Sequence, residues 1–182
     1  MQDTLPIHFA PLQGYTEAIY RNAHDAFFGG VDTYYTPFVR LEKGNFRRRD
    51  VRGIEPENNG VTHLIPQLIA SSAEKAEVIL SLFIEKGYQE VDINLGCPFP
   101  LLAKRHNGSG ILPYPEEVKA LLSIVTRYPQ ISFSVKMRLG WEQPDECLAL
   151  APILNDLPLR QITMHPVSYT HLEPTRPLYI SY

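Results

Sequence analysis

Cys97 is the residue on which chemistry would turn. It closes the run Asp92-Ile93-Asn94-Leu95-Gly96-Cys97-Pro98, an apolar stretch with polar residues two apart that ends in glycine, cysteine and proline. A cysteine in the turn after a strand is either a small buried hydrophobe or a reactive thiol. With a free pKa of about 8.5 the thiol is mostly protonated at neutral pH and can donate a proton. As a nucleophile it would want a histidine base. His106 and His165 are candidates for that base, but neither spacing is diagnostic. Cys147 sits in an apolar helical stretch and reads as core.

Four more polar residues, Gln67, Asn94, Lys136 and His165, lie at or near the C-terminal ends of predicted strands. A cationic segment runs from Arg40 to Arg52, with Lys43, Arg47, Arg48 and Arg49 between and only Glu42 and Asp50 against them. Lys104-Arg105-His106 follows Cys97 closely. Charge runs are commonly solvated faces, and they also bind phosphate.

The elements that position these residues alternate. Strands are expected at residues 7–11, 33–38, 62–68, 90–95, 131–139 and 161–165. Between them, Thr16 offers an N-cap to a helix carrying Tyr20, Ala23 and Phe27, and Gly29-Gly30 ends it. Ser71 and Glu74 fit a capping box ahead of the stripe Ala76, Ile79, Leu80 and Phe83, with Gly87 as the stop. Pro115 suits a first helical turn before Val118, Leu121, Leu122 and Val125, and Pro129 stops that helix. Residues 145–155 read as a helix that Pro152 should kink or split. Residues 40–60 show no period and read as a long surface loop. Six strands alternating with helices imply an α/β fold with parallel βαβ units. Polar residues at the ends of several strands favour a (β/α)₈ TIM barrel over an open doubly wound sheet, which would gather them at one switch point.

The chain has 182 residues, 44% hydrophobic and 20% charged, which excludes a disordered tail and accommodates one core. No apolar run approaches the roughly 18 residues of a membrane span, and the first residues show no export signal, so no membrane partner is expected. Two cysteines make no disulfide framework, and a cytoplasmic setting is expected. No metal-ligand spacing, P-loop or dinucleotide fingerprint occurs. A net charge of −3 confines any nucleic-acid binding to a local patch.

Together the motifs resemble the tRNA-dihydrouridine synthase family. The matching residues are Ala10-Pro11-Leu12-Gln13-Gly14 with Thr16 and Arg21, Phe38-Val39-Arg40, Pro66-Gln67-Leu68 and the run from Asp92 to Pro98. Asn107-Gly108-Ser109-Gly110, Val135-Lys136-Met137-Arg138-Leu139-Gly140 and Met164-His165-Pro166 complete the series, over roughly residues 7 to 166. The resemblance implies an FMN-binding barrel that reduces uridine in tRNA to dihydrouridine, with NADPH reloading the flavin. It assigns FMN contacts to Pro11, Leu12, Gln13, Gln67, Lys136 and His165. It makes Cys97 the general acid that protonates uracil carbon 5, and gives Asn94 a hydrogen bond on the substrate or flavin side. Arg40, Lys104 and Arg105 would contact RNA. The target base must be flipped out of the RNA fold to reach such a site.

The chain departs from the family's pattern at several points. Leu12 stands where Met is frequent and Pro100 where Lys is common. The later Asn-Gly and Gly-Arg phosphate motifs are absent. A barrel has eight strands and typically about 250 residues. The chain is therefore expected to hold an incomplete barrel of about six strands over residues 1–166. Residues 167–182 are expected to form a non-matching tail, and the chain as given is expected to be truncated, to bind FMN weakly and not to turn over tRNA. Two other functions fit the same residues: a flavin-barrel oxidoreductase acting on a small pyrimidine, and a non-catalytic RNA-binding fragment.

Overall fold

The computed structural model describes residues 5–166. The expectations for residues 167–182 lie outside the described residues. Six strand positions follow one another around a parallel arc. In order they are β1 (His8–Phe9), β2 (Thr33–Tyr35), the pair β5 (Leu64–Ile65) and β6 (Gln67–Leu68), β7 (Glu90–Leu95), β8 (Ser132–Arg138) and β9 (Leu159–His165). Among the described residues β1 pairs only with β2 and β9 only with β8, so the arc is open and no closed barrel forms.

The third position corrects the expected strand 62–68. Pro66 has no N–H and interrupts it, and the partners change there: β5 pairs with β2, and β6 with β7. The Pro66 carbonyl still accepts from Asp92 N–H at 3.0 Å, which carries the sheet across the break.

Period-two alternation gives the arc two unlike faces. Val91, Ile93 and Leu95 of β7 and Phe133, Val135 and Met137 of β8 join the core. They pack with α3 (Ala73–Glu85), α5 (Pro115–Leu122) and α7 (Glu146–Asn155). The alternate residues form polar rows across the other face. Gln67, Asp92, Ser134 and Gln161 pair in one row, Asn94, Lys136 and Thr163 in the next, and Arg138 with His165 in the last.

The helical stripes Ala76, Ile79, Leu80, Phe83 and Val118, Leu121, Leu122, Val125 are all buried as their spacing predicts. Burying each large apolar side chain stabilises the fold by roughly 1.5–3 kcal/mol. Gly87 ends α3 at φ +84°, in the left-handed region that favours glycine. Pro115 takes the first turn of α5. That helix stops at Leu122, and α6 (Ile124–Arg127) completes the stretch.

Several local expectations are corrected. Thr16 does not cap a helix: its Oγ1 accepts from Leu12 N–H at 2.9 Å, and α1 (Ala18–Phe27) starts after Glu17. The buried face of α1 is Ala18 and Arg21, so Tyr20 and Phe27 are exposed. The cap of α3 is Ser72, one residue later than the predicted box, and it accepts from Lys75 N–H. Pro152 leaves α7 unsplit. Cys147 is half-buried at the edge of the core, where its thiol donates to the Pro144 carbonyl.

Residues 40–60 are not a loop. β3 (Leu41–Glu42) and β4 (Asn45–Phe46) form an antiparallel hairpin. Lys43 and Gly44 turn it, both at positive φ, +51° and +81°. Two positive values are what a two-residue primed turn demands. Then α2 (Arg48–Ile54) buries Asp50 and Ile54, and the Arg47 guanidinium grips Asp50 with two bonds of 2.8 and 2.7 Å. Arg21, fully buried, ties this segment to α1. It donates to the carbonyls of Thr16 and Gly53 and to Asn59 Oδ1, and burial lowers its pKa to about 10. Arg21 is therefore a structural tie.

Candidate active site

A cleft of about 510 Å³ opens at the C-terminal ends of the strands. Pro11, Leu12, Gln13, Gln67, Asn94, Cys97, Lys136 and His165 all line it, so residues up to 154 positions apart in the chain meet there. Phe38, Arg138 and Thr163 line it too; the sequence reading placed Phe38 and Arg138 in motifs without a role and missed Thr163. The signal for Arg138 and Thr163 was present: each lies two residues along a strand from Lys136 or His165, on the same face.

Cys97 is positioned by an Asx turn. Asn94 Oδ1 accepts from the N–H groups of Gly96 and Cys97 at 3.0 and 2.9 Å. The Cys97 carbonyl accepts from both the N–H and the hydroxyl of Ser109, at 3.0 and 2.9 Å. Gly108 permits that approach: a Cβ there would lie 2.6 Å from the Cys97 carbonyl oxygen and 2.8 Å from its Cβ, and its φ is +61°. The Asn107-Gly108-Ser109-Gly110 motif is thus the clamp on the Cys97 turn.

Behind the turn runs a buried polar chain. Asn94 Nδ2 donates to Gln67 Oε1 at 2.7 Å, and Gln67 Nε2 donates to Asp92 Oδ2 at 2.6 Å. The Ser134 hydroxyl donates to Asp92 Oδ1 at 2.5 Å. Burial pushes the Asp92 carboxyl up to about 6, against the smaller effects of the Ser134 and Gln67 hydrogen bonds and of Lys136. Asp92 and Ser134 had no role in the sequence reading. Asn94, by contrast, has its carbonyl oxygen committed to the turn and keeps one N–H for a ligand.

The charges around the cleft set protonation states. Burial pushes the Cys97 thiol above its ordinary value, against the smaller pull of the Phe99 N–H and of Arg138, Arg40 and Lys136. The thiol is therefore protonated at neutral pH. Burial, then Lys136 and Arg138, lower His165, which is neutral there. Burial also lowers Lys136, with Asp92 opposing. Arg138 Nε donates to the Gly96 carbonyl at 2.6 Å and so braces the same turn. His106 is turned to other partners, bonded to Glu117 at 2.7 Å and stacked on Tyr114, and does not line the cleft.

Gln13 bears on the question of a cofactor. Both its amide nitrogen and its amide oxygen are buried without a hydrogen-bond partner among the described residues. A buried amide with both ends open costs stability until a ligand satisfies it. It lies in a cleft whose other polar groups include Gln67, Asn94, Lys136, Arg138, Thr163 and His165. That donor and acceptor set suits a flat, polar-edged heterocycle carrying negative charge.

The sequence model of the dihydrouridine synthase family matches residues 8–171. The chain belongs to this family. It is 28% identical over 163 residues to the probable tRNA-dihydrouridine synthase 1 of Synechocystis, covering 86% of the chain and 44% of that relative. It is 29% identical over 100 residues to tRNA-dihydrouridine synthase B of Klebsiella pneumoniae, covering 54% and 31%. The enzyme of the same name from Pasteurella multocida is 23% identical over 160 residues, covering 87% and 48%. The chain spans less than half the length of these curated relatives.

The residues expected to contact RNA divide. Arg40 and Arg105 line a second cavity beside the cleft, and exposed Lys104, just after α4 (Pro100–Ala103), lines neither. Among the described residues no helix is long and apolar enough to cross a membrane.

Proposed function

We propose that this chain carries the catalytic cleft of an FMN-dependent tRNA-dihydrouridine synthase, reducing uridine in tRNA to 5,6-dihydrouridine with NADPH as electron donor. The observation that carries the reading is Cys97. It is a thiol kept protonated by burial, in a turn fixed on both sides, within a cleft that also holds an unsatisfied amide.

Pro11, Leu12, Gln13, Gln67, Lys136 and His165 would hold the flavin, Gln13 and Gln67 through their amides and Lys136 through its charge. When bound, the flavin supplies the two electrons and the hydrogen for uracil carbon 6, and NADPH restores them. The second hydrogen arrives as a proton, and Cys97 Sγ is the group that carries it to carbon 5. Arg138, Lys136 and Arg40 favour the thiolate left behind. Asn94 offers its remaining N–H to the base, while Arg40, Lys104 and Arg105 take backbone phosphates.

The test is to compare the intact enzyme that contains these residues with its Cys97→Ala variant. Bound flavin should show as visible absorbance in both. Reduction of tRNA should slow by about 10²–10⁴-fold in the variant, the usual weight of a positioned acid, while flavin reduction by NADPH stays near normal. Equal turnover of tRNA by the two proteins rules out the role of Cys97. Absence of both flavin and dihydrouridine formation rules out the reading.

A further inference from the structure

The Cys97 cleft has a neighbour. Phe38 and Pro98 line the cleft, and Arg40 and Phe99, one or two residues further along the same segments, line a second cavity of about 490 Å³. Its rim carries Arg40, Lys43, Lys75 and Arg105, with Glu42 as the one carboxylate. Glu42 reaches only Arg40, at 3.7 Å. Lys75 donates to the Ser71 hydroxyl, and among the described residues no carboxylate pairs with Lys43, Lys75 or Arg105. Apart from Asn107, the remaining lining is apolar and includes Phe99 and Leu101, which are 50% and 64% exposed.

Cations on the rim and an exposed aromatic ring beside them form the combination that binds single-stranded nucleic acid: phosphate on charge, base on a ring face. An RNA chain with one nucleotide in the Cys97 cleft must carry its neighbours across the adjoining wall. We infer that the second cavity receives the nucleotide next to the target uridine, its phosphate on Lys43 and Arg105 and its base on Phe99. The inference rests on the tRNA reading above and adds to it a second subsite outside the reacting centre. The Lys43-Gly44 turn has a backbone role as well: its two positive φ values hold Lys43 at the rim.

Binding of labelled tRNA to the 182-residue chain, measured across a salt series, tests this. The Lys43→Ala/Arg105→Ala double variant should bind more weakly and lose about 0.7–0.9 of salt slope for each phosphate contact removed. Phe99→Ala should weaken binding about 5- to 100-fold at unchanged slope, because stacking releases no counterions. Phe99 is half-exposed, so this change spares the core. Lys119→Ala on α5, away from both cavities, is the control and should bind as the wild type. If the wild type binds tRNA and the double variant and Phe99→Ala match it in affinity and slope, the second subsite is overturned while the tRNA reading stands. If the wild type shows no salt-dependent affinity for tRNA, the reading itself falls and the subsite with it.

Discussion

Every proton in the chain behind Cys97 points toward one carboxylate. Ser134 and Gln67 donate to Asp92, Asn94 donates to Gln67, and the N–H groups of Gly96 and Cys97 donate to Asn94. The direction of each bond is inherited from the one before it. Asn94→Ala removes the acceptor for two N–H groups at once, at about 1–3 kcal/mol for each donor left unsatisfied. The Cys97 turn should loosen. In a Cys147→Ser background Cys97 should then react faster with iodoacetamide, and an unchanged rate would show that Ser109 and Gly108 hold the turn alone. Asp92 makes a separate prediction. Its folded pKa of about 6 lies above that of a free carboxylate, about 3.9. Its proton therefore favours folding below about pH 4, and that contribution is lost as pH rises through about 6. Asp92→Asn keeps the hydrogen bonds, since the Ser134 hydroxyl can turn to accept. Urea midpoints should show the wild type losing stability relative to this variant between pH 4 and pH 7, and parallel curves would contradict the assignment.

At the scale of elements, the hairpin of β3 and β4 depends on Gly44 at φ +81°. Gly44→Val forces a side chain into the left-handed region at a cost of about 1–2 kcal/mol. Its urea midpoint should fall, and by displacing Lys43 it should weaken tRNA binding as well. A variant with wild-type stability would show that the turn relaxes freely. This hairpin also marks where sequence reading ran out. Strands of six or seven residues and helices with full apolar stripes were legible, because alternation and helical spacing repeat often enough to register. The two-residue segments at 41–42 and 45–46 are too short to show a period. α2 hides its burial in Asp50, gripped by Arg47, and Ile54, among charges that resemble solvated surface. In the cleft, the polar residues at strand ends could be read individually. The hydrogen bonds that join Asp92, Gln67 and Asn94 depend on strand register across positions 25 to 27 apart, which spacing does not encode.

At the scale of the molecule, β1 and β9 end the arc with one unpaired edge each among the described residues. Apolar side chains stand exposed beside both: Ile7, Ile19, Phe27 and Phe28 near β1, and Ile162 and Met164 on β9. Open edges with apolar neighbours pair between chains. Sedimentation velocity should show concentration-dependent association of the 182-residue chain, relieved by Ile162→Lys, and a monomer at every concentration would contradict this. The open arc nevertheless has a reason to hold its shape. The rows Gln67-Asp92-Ser134-Gln161 and Asn94-Lys136-Thr163 make its inner surface polar, whereas the oily residues of β7 and β8 all turn outward, under α3, α5 and α7. The apolar contacts that hold β7 and β8 therefore come from these helices and do not wait on ring closure. The wall behaves like an arch whose mortar is on the outside: its middle is held from behind, and its weakness lies at the two ends.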